Sequence, residues 1–244
     1  MSVTLLFQLS CSGPPEYEPS FTWSPIEINA EIKGSDKVEA VIAPYRAKLD
    51  SIMDEVIGYA SHDLTTQGAY ESTLGTFVTR LLLEQSISSF DTAVDVAIMN
   101  HHGGLRAPIN QGDITLGEVF EVMPFENEMI LLELSGDVLL ETIHFIGKSR
   151  RSMIWPVSFQ VTEKGAKNVR VNGEEIVPDK KYVLSISDYL ANGGGGFQLL
   201  KPQKRLDVKP VKLRDFIVKE IKQQTARGDS IKAQVANAVT LLTP

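Results

Sequence analysis

The stretch that decides the fold runs from Val94 to Asn127 and reads VDVAIMNHHGGLRAPINQGDITLGEVFEVMPFEN. It opens on an apolar run, residues 94–99, that is long enough for a buried strand. Polar residues and glycines lead to one arginine, Arg106, and the run TLGE at 115–118 fits a capping box at the start of a short helix. The stretch closes on an aromatic, Phe125. A strand end, a glycine loop with a cation, a helix and a presented aromatic together predict a pocket for a planar, anionic ligand.

Composition narrows the class of protein. The chain has 244 residues, of which 43% are hydrophobic and 23% charged, and one or two globular domains fit that length. The net charge of -7 disfavours a nucleic-acid polymer as partner, so local donors must hold any anionic ligand. A single cysteine excludes an intramolecular disulfide. No apolar run reaches the roughly 18–20 residues that span a bilayer.

Residues 1–34 are interpreted as a signal remnant and a tether. A short apolar run ends on Cys11, and a Pro-rich polar segment follows. This pattern resembles the end of a bacterial lipoprotein signal: Ser10 fits, although Gln8 is atypical and a basic N-terminal region is missing. The sequence therefore predicts lipidation at Cys11 and a periplasmic or outer-membrane lipoprotein of the bacterial cell envelope, attached to the membrane by its lipid alone. A frayed N-terminus with an unmodified cysteine is the alternative.

Residues 35–244 predict a single α+β domain in which mixed β-sheets pack with helices. Apolar residues at helical spacing mark the helices, and Pro44 is expected to kink or split the first of them. Short apolar or alternating runs mark the strands, with a hairpin turn at Asn172-Gly173. The predicted helices are 35–56, 74–86, 135–146 and 211–224, and the predicted strands are 57–60, 94–99, 129–134, 153–162, 169–177 and 181–187.

A second glycine-rich loop follows the strand predicted at 181–187. Four successive glycines after Asn192 allow positive φ and a close approach to a ligand, although glycine loops are often simple turns. The aromatics Tyr189 and Phe197 flank these glycines, and either of them can sandwich a flat heterocycle with Phe125. Such stacking contributes roughly 1–3 kcal/mol per base. Packing in the core is the alternative role of each aromatic.

Arg106 is the only arginine or lysine in either loop, and its planar fork suits a carboxylate, a phosphate or a sugar oxygen. A surface salt bridge is the alternative. His101 and His102 are potential metal ligands, but neighbouring residues of an extended chain point to opposite faces. No carboxylate–histidine cluster, Walker A motif or nucleophile motif accompanies them. We therefore predict neither a metal centre nor a catalytic residue in this chain.

Six motifs follow one another from about Val56 to the C-terminus. They are ESTLG at 71–75, GGLR at 103–106, GDIT at 112–115, PFEN at 124–127, VNG at 171–173 continuing through Pro178 to Tyr182, and YLANGG at 189–194 continuing to Phe197. With this set, the chain resembles the C-terminal, substrate-binding domain of the 5'-nucleotidase and UDP-sugar hydrolase family. The resemblance implies the fold of that domain.

In that family, two aromatics of this domain clamp the base of the ligand. The resemblance puts the two at Phe125 and Tyr189, which favours Tyr189 over Phe197. It also implies that Arg106 contacts the sugar or phosphate region. The implied substrate-binding set is His101, Gly103, Gly104, Arg106, Phe125, Asn127, Tyr189, Asn192, Gly194 and Gly195.

Three positions depart from the family pattern. His101 stands where the family has an asparagine. Gly195 stands where the family has the aspartate that holds the ribose hydroxyls. Residues 68–70 read Gly-Ala-Tyr where a family arginine precedes the ESTLG motif. We therefore expect weaker recognition of the ribose and a weaker grip on the phosphate than in the full enzymes.

The family's N-terminal calcineurin-like domain carries two metals and hydrolyses the phosphate ester, and residues 1–70 hold none of its metal-ligand motifs. The resemblance therefore implies the nucleotide-binding half of a split 5'-nucleotidase-type phosphohydrolase of nucleotide catabolism. A separate metallophosphoesterase chain is expected to supply the divalent metals, and this chain is not expected to be active alone. The alternatives are a non-enzymatic nucleoside-binding module of the cell envelope and a decayed domain kept for protein–protein contact.

Overall fold

A computed structural model of the protein describes residues 21–29, 31–90 and 92–242, without the side chains of 207–210. The chain divides into two units, Met1–Pro44 and Tyr45–Pro244. Cys11 and most of the predicted tether lie outside the described residues, so the lipidation site and the boundary at residue 34 stay predictions. In the described part of the first unit, residues 21–29 and 31–35 form neither helix nor strand.

The first predicted helix is present as α1, Asp36–Met53, and it continues through Pro44 as a single element. Two acidic residues, Asp36 and Glu39, lie in its first turn, where they interact favourably with the helix dipole. Within the described chain none of the α1 residues is buried. The prediction of a helix here is confirmed. Of the kink or split predicted at Pro44, the split is wrong.

The second unit alternates short strands with helices. Most of the predicted elements are confirmed, although the strand predicted at 153–162 is broken at Pro156 into β5 and β6. The described elements are β1 Val56–Ala60, α2 Thr73–Ser89, β2 Val96–Met99, α3 His101–Gly104, β3 Gly112–Thr115, α4 Leu116–Val122, β4 Glu128–Ser135, α5 Gly136–Ser149, β5 Met153–Trp155, β6 Val157–Thr162, β7 Gly165–Val171, β8 Glu174–Glu175, β9 Lys181–Ser187, α6 Asp188–Ala191, β10 Lys204–Lys212, α7 Leu213–Ala226 and β11 Val239–Leu241.

Hydroxyl side chains begin several of these helices. Ser72, Ser135 and Ser187 each accept a hydrogen bond from the backbone N–H three residues further on. Thr115 does the same for α4, and the Glu118 side chain accepts a hydrogen bond from the backbone N–H of Thr115 in return. The predicted capping box is therefore confirmed, and it places the start of α4 directly after β3.

The largest sheet of the second unit has five strands in the order β10-β4-β9-β2-β5. The central strands β2 and β9 run parallel, whereas β4 and β5 run antiparallel to them. Met99 at the end of β2 lies opposite Met153 at the start of β5, and Ser187 at the end of β9 lies opposite Met129 near the start of β4. The ends of β2 and β9 and the starts of β4 and β5 therefore lie along one edge of the sheet.

Both faces of this sheet are buried, as the unbroken apolar run of β2 requires. Ala97 and Met99 belong to a core cluster with α2 and α7, whereas Val96 and Ile98 belong to a second cluster with α5. Burial contributes about 1.5–3 kcal/mol for each large aliphatic side chain. With a four-stranded mixed sheet, β11-β6-β7-β8, and the β1-β3 pair, the predicted α+β class with mixed sheets is confirmed.

Candidate functional site

A cavity of about 430 Å³ opens at the sheet edge where the four strand ends meet. Its volume lies within the range of sites for small molecules. The segments after β2 and β9 and the segments before β4 and β5 supply its walls. The lining residues are Asn100, His102, Gly103, Gly104, Arg106, Phe125, Asn127, Arg151, Ser152, Tyr189 and Gly195.

The segment after β2 supplies the polar wall. Gly103 has φ 109°, a left-handed conformation that breaks the short helix α3. A Cβ on Gly104 would lie only 2.5 Å from Oδ1 of Asn100, so the glycine leaves room for the Asn100 amide. The Arg106 N–H donates to the Val122 carbonyl over 2.8 Å. The backbone that carries the arginine is therefore held against the end of α4.

The two aromatics of the cavity are exposed, Phe125 by 40% and Tyr189 by 50%. Tyr189 is supported by the glycine loop, because a Cβ on Gly194 would lie 2.5 Å from the tyrosine ring and the Gly195 N–H donates to its hydroxyl over 3.1 Å. Among the described residues no ring contact joins Phe125 to Tyr189. Both rings line the same cavity and are left open to a ligand there.

Phe197, the other aromatic that flanks the glycine loop, lies in the core. It is 2% exposed, and its ring packs edge-on against Phe145 with 4.9 Å between the centroids. Asn192 also lies outside the cavity lining, and its side-chain oxygen accepts a hydrogen bond from Arg205. Gly194 packs beneath the tyrosine ring without lining the cavity. The glycine loop thus contributes one aromatic, Tyr189, and one glycine, Gly195.

His101, which the resemblance placed in the binding set, does not line the cavity. Its ring is fully buried, and neither ring nitrogen has a hydrogen-bond partner in the described chain. Burial lowers the pKa of His101 to about 4, and the charge of His102 acts in the same direction. The His102 ring lies 4.2 Å away, edge-on, and it does line the cavity. The structure therefore places His102 and not His101 at the wall.

Four lining residues were missed by the sequence analysis as binding groups: Asn100, His102, Arg151 and Ser152. The last two precede β5, and the Arg151 carbonyl accepts the His102 N–H over 3.2 Å, which joins their segment to α3. Ser152 is 2% exposed, and the buried Oδ1 of Asn100 has no partner among the described residues. The only sequence signal for Arg151 and Ser152 is that an Arg-Arg-Ser run precedes a predicted strand. This run does not reveal which strand is the neighbour of β5 in the sheet.

Acidic side chains near the cavity are engaged elsewhere. Hydrogen bonds from Lys212 and Arg214 hold the pKa of Glu126 below its ordinary value. The Arg214 guanidinium also lies over the Phe120 ring at 4.0 Å. Asp188 accepts the backbone N–H of Glu128 over 3.2 Å. These pairings fix the segment before β4, which presents one of the two cavity aromatics.

The described residues do not fit a metal centre. Among residues 21–29, 31–90 and 92–242 no three or more histidine, cysteine, aspartate or glutamate side chains stand close enough together to hold a metal ion. No step of a reaction through a metal is therefore assigned to these residues. Within the same residues, none of the helices is both long enough and apolar enough to cross a membrane.

The fold and the cavity define an α+β domain with a small-molecule-sized cavity at the edge of a mixed sheet. The family model for the C-terminal domain of 5'-nucleotidases matches residues 55–202, which is more than half of the chain. The chain therefore belongs to this family, and the resemblance predicted from the six motifs is confirmed.

Several known proteins are similar to this chain. A mouse 5'-nucleotidase is 27% identical over 210 residues, which cover 74% of this chain and 36% of that protein. A cell wall protein of Listeria monocytogenes is 26% identical over 251 residues, covering 91% and 30%. The crystal structure of a 5'-nucleotidase precursor from Thermus thermophilus superposes with a TM-score of 0.71 at 23% identity, covering 85% and 43%, and it supports the fold alone. The chain spans less than half the length of each.

Proposed function

We propose that this chain binds nucleotides as the substrate-binding half of a 5'-nucleotidase-type phosphohydrolase. One observation carries the proposal: a single cavity brings together two exposed aromatics, Phe125 and Tyr189, and the guanidinium of Arg106. A flat heterocycle and an anionic group are the ligand parts that these side chains bind best. Membership of the 5'-nucleotidase C-terminal domain family supports the same ligand class.

Each side chain has a distinct role in this proposal. Phe125 and Tyr189 stack on the two faces of the base, which contributes roughly 1–3 kcal/mol per ring. Arg106 donates hydrogen bonds to phosphate or sugar oxygens, and its backbone bond to Val122 keeps it in place. Asn127, an amide in the same wall, hydrogen-bonds to the edge of the base.

Hydrolysis belongs to a metallophosphoesterase module, which the resemblance implies and which we place on a separate chain. That module supplies the divalent metals. The residues described here bind and orient the nucleotide and shield its base from water, and the phosphate ester is presented at the mouth of the cavity. We place the complex in the cell envelope, attached through a lipid on Cys11. The cell wall protein of Listeria among the relatives supports this location.

Reconstitution tests the proposal. The chain is mixed with a candidate metallophosphoesterase of the same organism and a divalent cation, and phosphate release from nucleoside monophosphates is measured. We expect release that needs both chains and that falls at least about tenfold in the double variant Phe125→Ala, Tyr189→Ala, because both stacking contacts are lost. Tyr59→Ala, at a 47% exposed aromatic on β1 outside the cavity, is the control. If no such partner gives release, the split-enzyme proposal is wrong.

A non-enzymatic binding module is the second candidate. Gly195 favours it, because the glycine stands where the resemblance expects the aspartate that holds the ribose. In this case the chain alone binds nucleosides or nucleotides, and no partner converts that binding into hydrolysis. Calorimetric titration of the wild type and of Phe125→Ala tests the aromatic clamp that both candidates share. Unchanged binding by the variant would remove the clamp.

A further inference from the structure

Two arginines line one cavity from segments next to neighbouring strands. Arg106 follows β2 and Arg151 precedes β5, and these strands pair antiparallel with Met99 opposite Met153. The hydrogen bond from the His102 N–H to the Arg151 carbonyl joins the two segments that carry the arginines. The pairing of β2 with β5 thus brings both arginines to the same cavity.

Neither arginine side chain is paired within the part of the chain that the structure describes. Across residues 21–29, 31–90 and 92–242, the side chains of Arg106 and Arg151 make no hydrogen bond or ion pair. Arg214 behaves differently, because it donates to Glu126 and to the Met123 carbonyl. The chain holds 31 acidic side chains against 24 lysines and arginines, so acidic partners are not scarce.

The charged groups of the cavity wall are basic. Among the described residues that line it, two arginines and His102 are the basic side chains, and none is a carboxylate. The nearby Glu126 is paired with Lys212 and Arg214, so its charge is already neutralised by other partners. The wall is therefore a local cationic site in a protein whose net charge is -7. Its positive charge attracts an anion, and the planar guanidinium group of an arginine can donate two hydrogen bonds to one carboxylate or phosphate.

The other side of the cavity also presents no carboxylate. Gly195 lines this side, and its φ of 63° strains any residue that carries a Cβ, although aspartate tolerates this region better than most residues. A Cβ there would lie 3.1 Å from Cδ2 of the buried Leu190. The glycine therefore leaves this part of the wall without charge.

We infer that Arg151 is a ligand-binding residue that acts with Arg106 on one anionic group, so that the cavity takes nucleoside monophosphates in preference to neutral nucleosides. This inference rests on the proposed function, because the aromatic clamp holds the base of the same ligand. Arg151 supplies a second phosphate donor from the segment between α5 and β5. The arginine that the resemblance leads us to expect ahead of the ESTLG motif is absent, and residues 68–70 read Gly-Ala-Tyr.

Calorimetric titration of the full chain tests the inference. The ligands are adenosine 5'-monophosphate and adenosine in one comparison, and uridine 5'-monophosphate and uridine in a second. We expect the wild type to bind a monophosphate at least about tenfold more tightly than its nucleoside, because only the monophosphate engages both guanidinium groups. Arg151→Gln is expected to weaken monophosphate binding about tenfold and to change nucleoside binding less than about twofold. Arg150→Gln is the matched control, because its guanidinium lies over the Tyr70 ring, 5.9 Å from the centroid, and does not line the cavity.

Thermal unfolding of each variant, measured in parallel, checks that the substitutions leave the fold intact. Arg151→Gln with wild-type monophosphate affinity would overturn the role of Arg151. Equal affinity of the wild type for monophosphate and nucleoside would overturn the anion site while leaving the base clamp standing. Binding of neither probe by the wild type would overturn the proposed function, and the inference with it.

Discussion

The two glycine loops of the cavity differ in the side chains that their glycines lie against. In the loop after β2, residues 100–106, Gly104 leaves room for the Asn100 amide, and buried polar atoms of Asn100 and His101 have no hydrogen-bond partner in the described chain. In the loop after β9, residues 188–197, the glycines lie beneath and beside the Tyr189 ring. The first loop is therefore expected to respond to protons and ligand charge, and the second to steric change.

The largest expected effect is on stability in the first loop. The pKa of His101 is about 4 in the folded protein and near 6.5 when exposed, so between these values the unfolded chain binds the additional proton. The free energy of unfolding is therefore expected to fall by about 3 kcal/mol from this residue as the pH drops from 7 to 4. Urea unfolding at the two pH values measures this change.

His101→Asn removes the titrating group and is expected to reduce the pH-dependent loss by about that amount. His144→Asn, at an exposed histidine of α5, serves as the control and is expected to keep the wild-type dependence. The same pH dependence in wild type and His101→Asn would contradict the assignment of a proton-sensitive group to the first loop.

A steric change in the second loop is expected to weaken ligand binding next most strongly. Gly194→Ala puts a Cβ 2.5 Å from the Tyr189 ring and 2.6 Å from the Tyr189 carbonyl oxygen, so the ring and the backbone that carries it must move away from their present positions. The affinity for adenosine 5'-monophosphate is expected to fall to that of Tyr189→Ala, a loss of roughly 1–3 kcal/mol. Gly34→Ala, where a Cβ meets nothing within 4 Å, is the control in the same titration. If Gly194→Ala binds adenosine 5'-monophosphate as tightly as the wild type, Gly194 is not needed to position the Tyr189 ring.

A charge placed in the second loop is expected to make that loop sensitive to the charge of the ligand as well. Gly195→Asp adds a carboxylate at φ 63°, and its repulsion of the phosphate should reduce the preference for monophosphate over nucleoside about tenfold, which is about 1.4 kcal/mol. Nucleoside binding should tighten, because the carboxylate accepts hydrogen bonds from the ribose hydroxyls. Gly195→Asn has a similar size without charge, and a matching loss in that variant would assign the effect to size.

The smallest expected effect concerns the helix cap beneath Tyr189. The Ser187 hydroxyl accepts the Leu190 N–H over 3.3 Å at the start of α6. Ser187→Ala is expected to cost about 1 kcal/mol of unfolding free energy and to weaken monophosphate binding about twofold, because Tyr189 stands on the first turn of this helix. Ser158→Ala on β6, which begins no helix, is the control. Denaturant unfolding and titration of both variants give the comparison.

Much of the fold was predictable because its causes are local. The spacing of apolar residues, the capping residues and the glycines are signals that each involve only a few neighbouring residues. These signals predicted α2, α5, α7 and the capping box of α4. The cavity lining was predictable where a single segment of the chain supplies the residue. Phe125, Arg106 and Tyr189 each lie close to the end of a well-marked strand or helix, and all three line the cavity.

The remaining features depend on contacts between distant segments. Arg151 lines the cavity because β5 pairs with β2, and no local pattern before residue 153 predicts that pairing. Pro44 was expected to kink or split α1, and the helix is not split there, although none of its residues is buried. Packing in the core therefore does not account for the continuous helix, whereas it does account for the place of Arg151.

The sequence by itself determined the family, the class of fold, the two glycine loops and the aromatics and arginine that they flank, because periodicity and motif order are properties of the chain. Only the tertiary structure decided which of two adjacent histidines faces the cavity, which aromatic is buried in the core and which second arginine joins the first. The physical reason is that side-chain direction in a broken helical turn and strand order in a mixed sheet follow from non-local packing. Arg151 and His102 reached the cavity in this way, and His101 and Phe197 were buried by it.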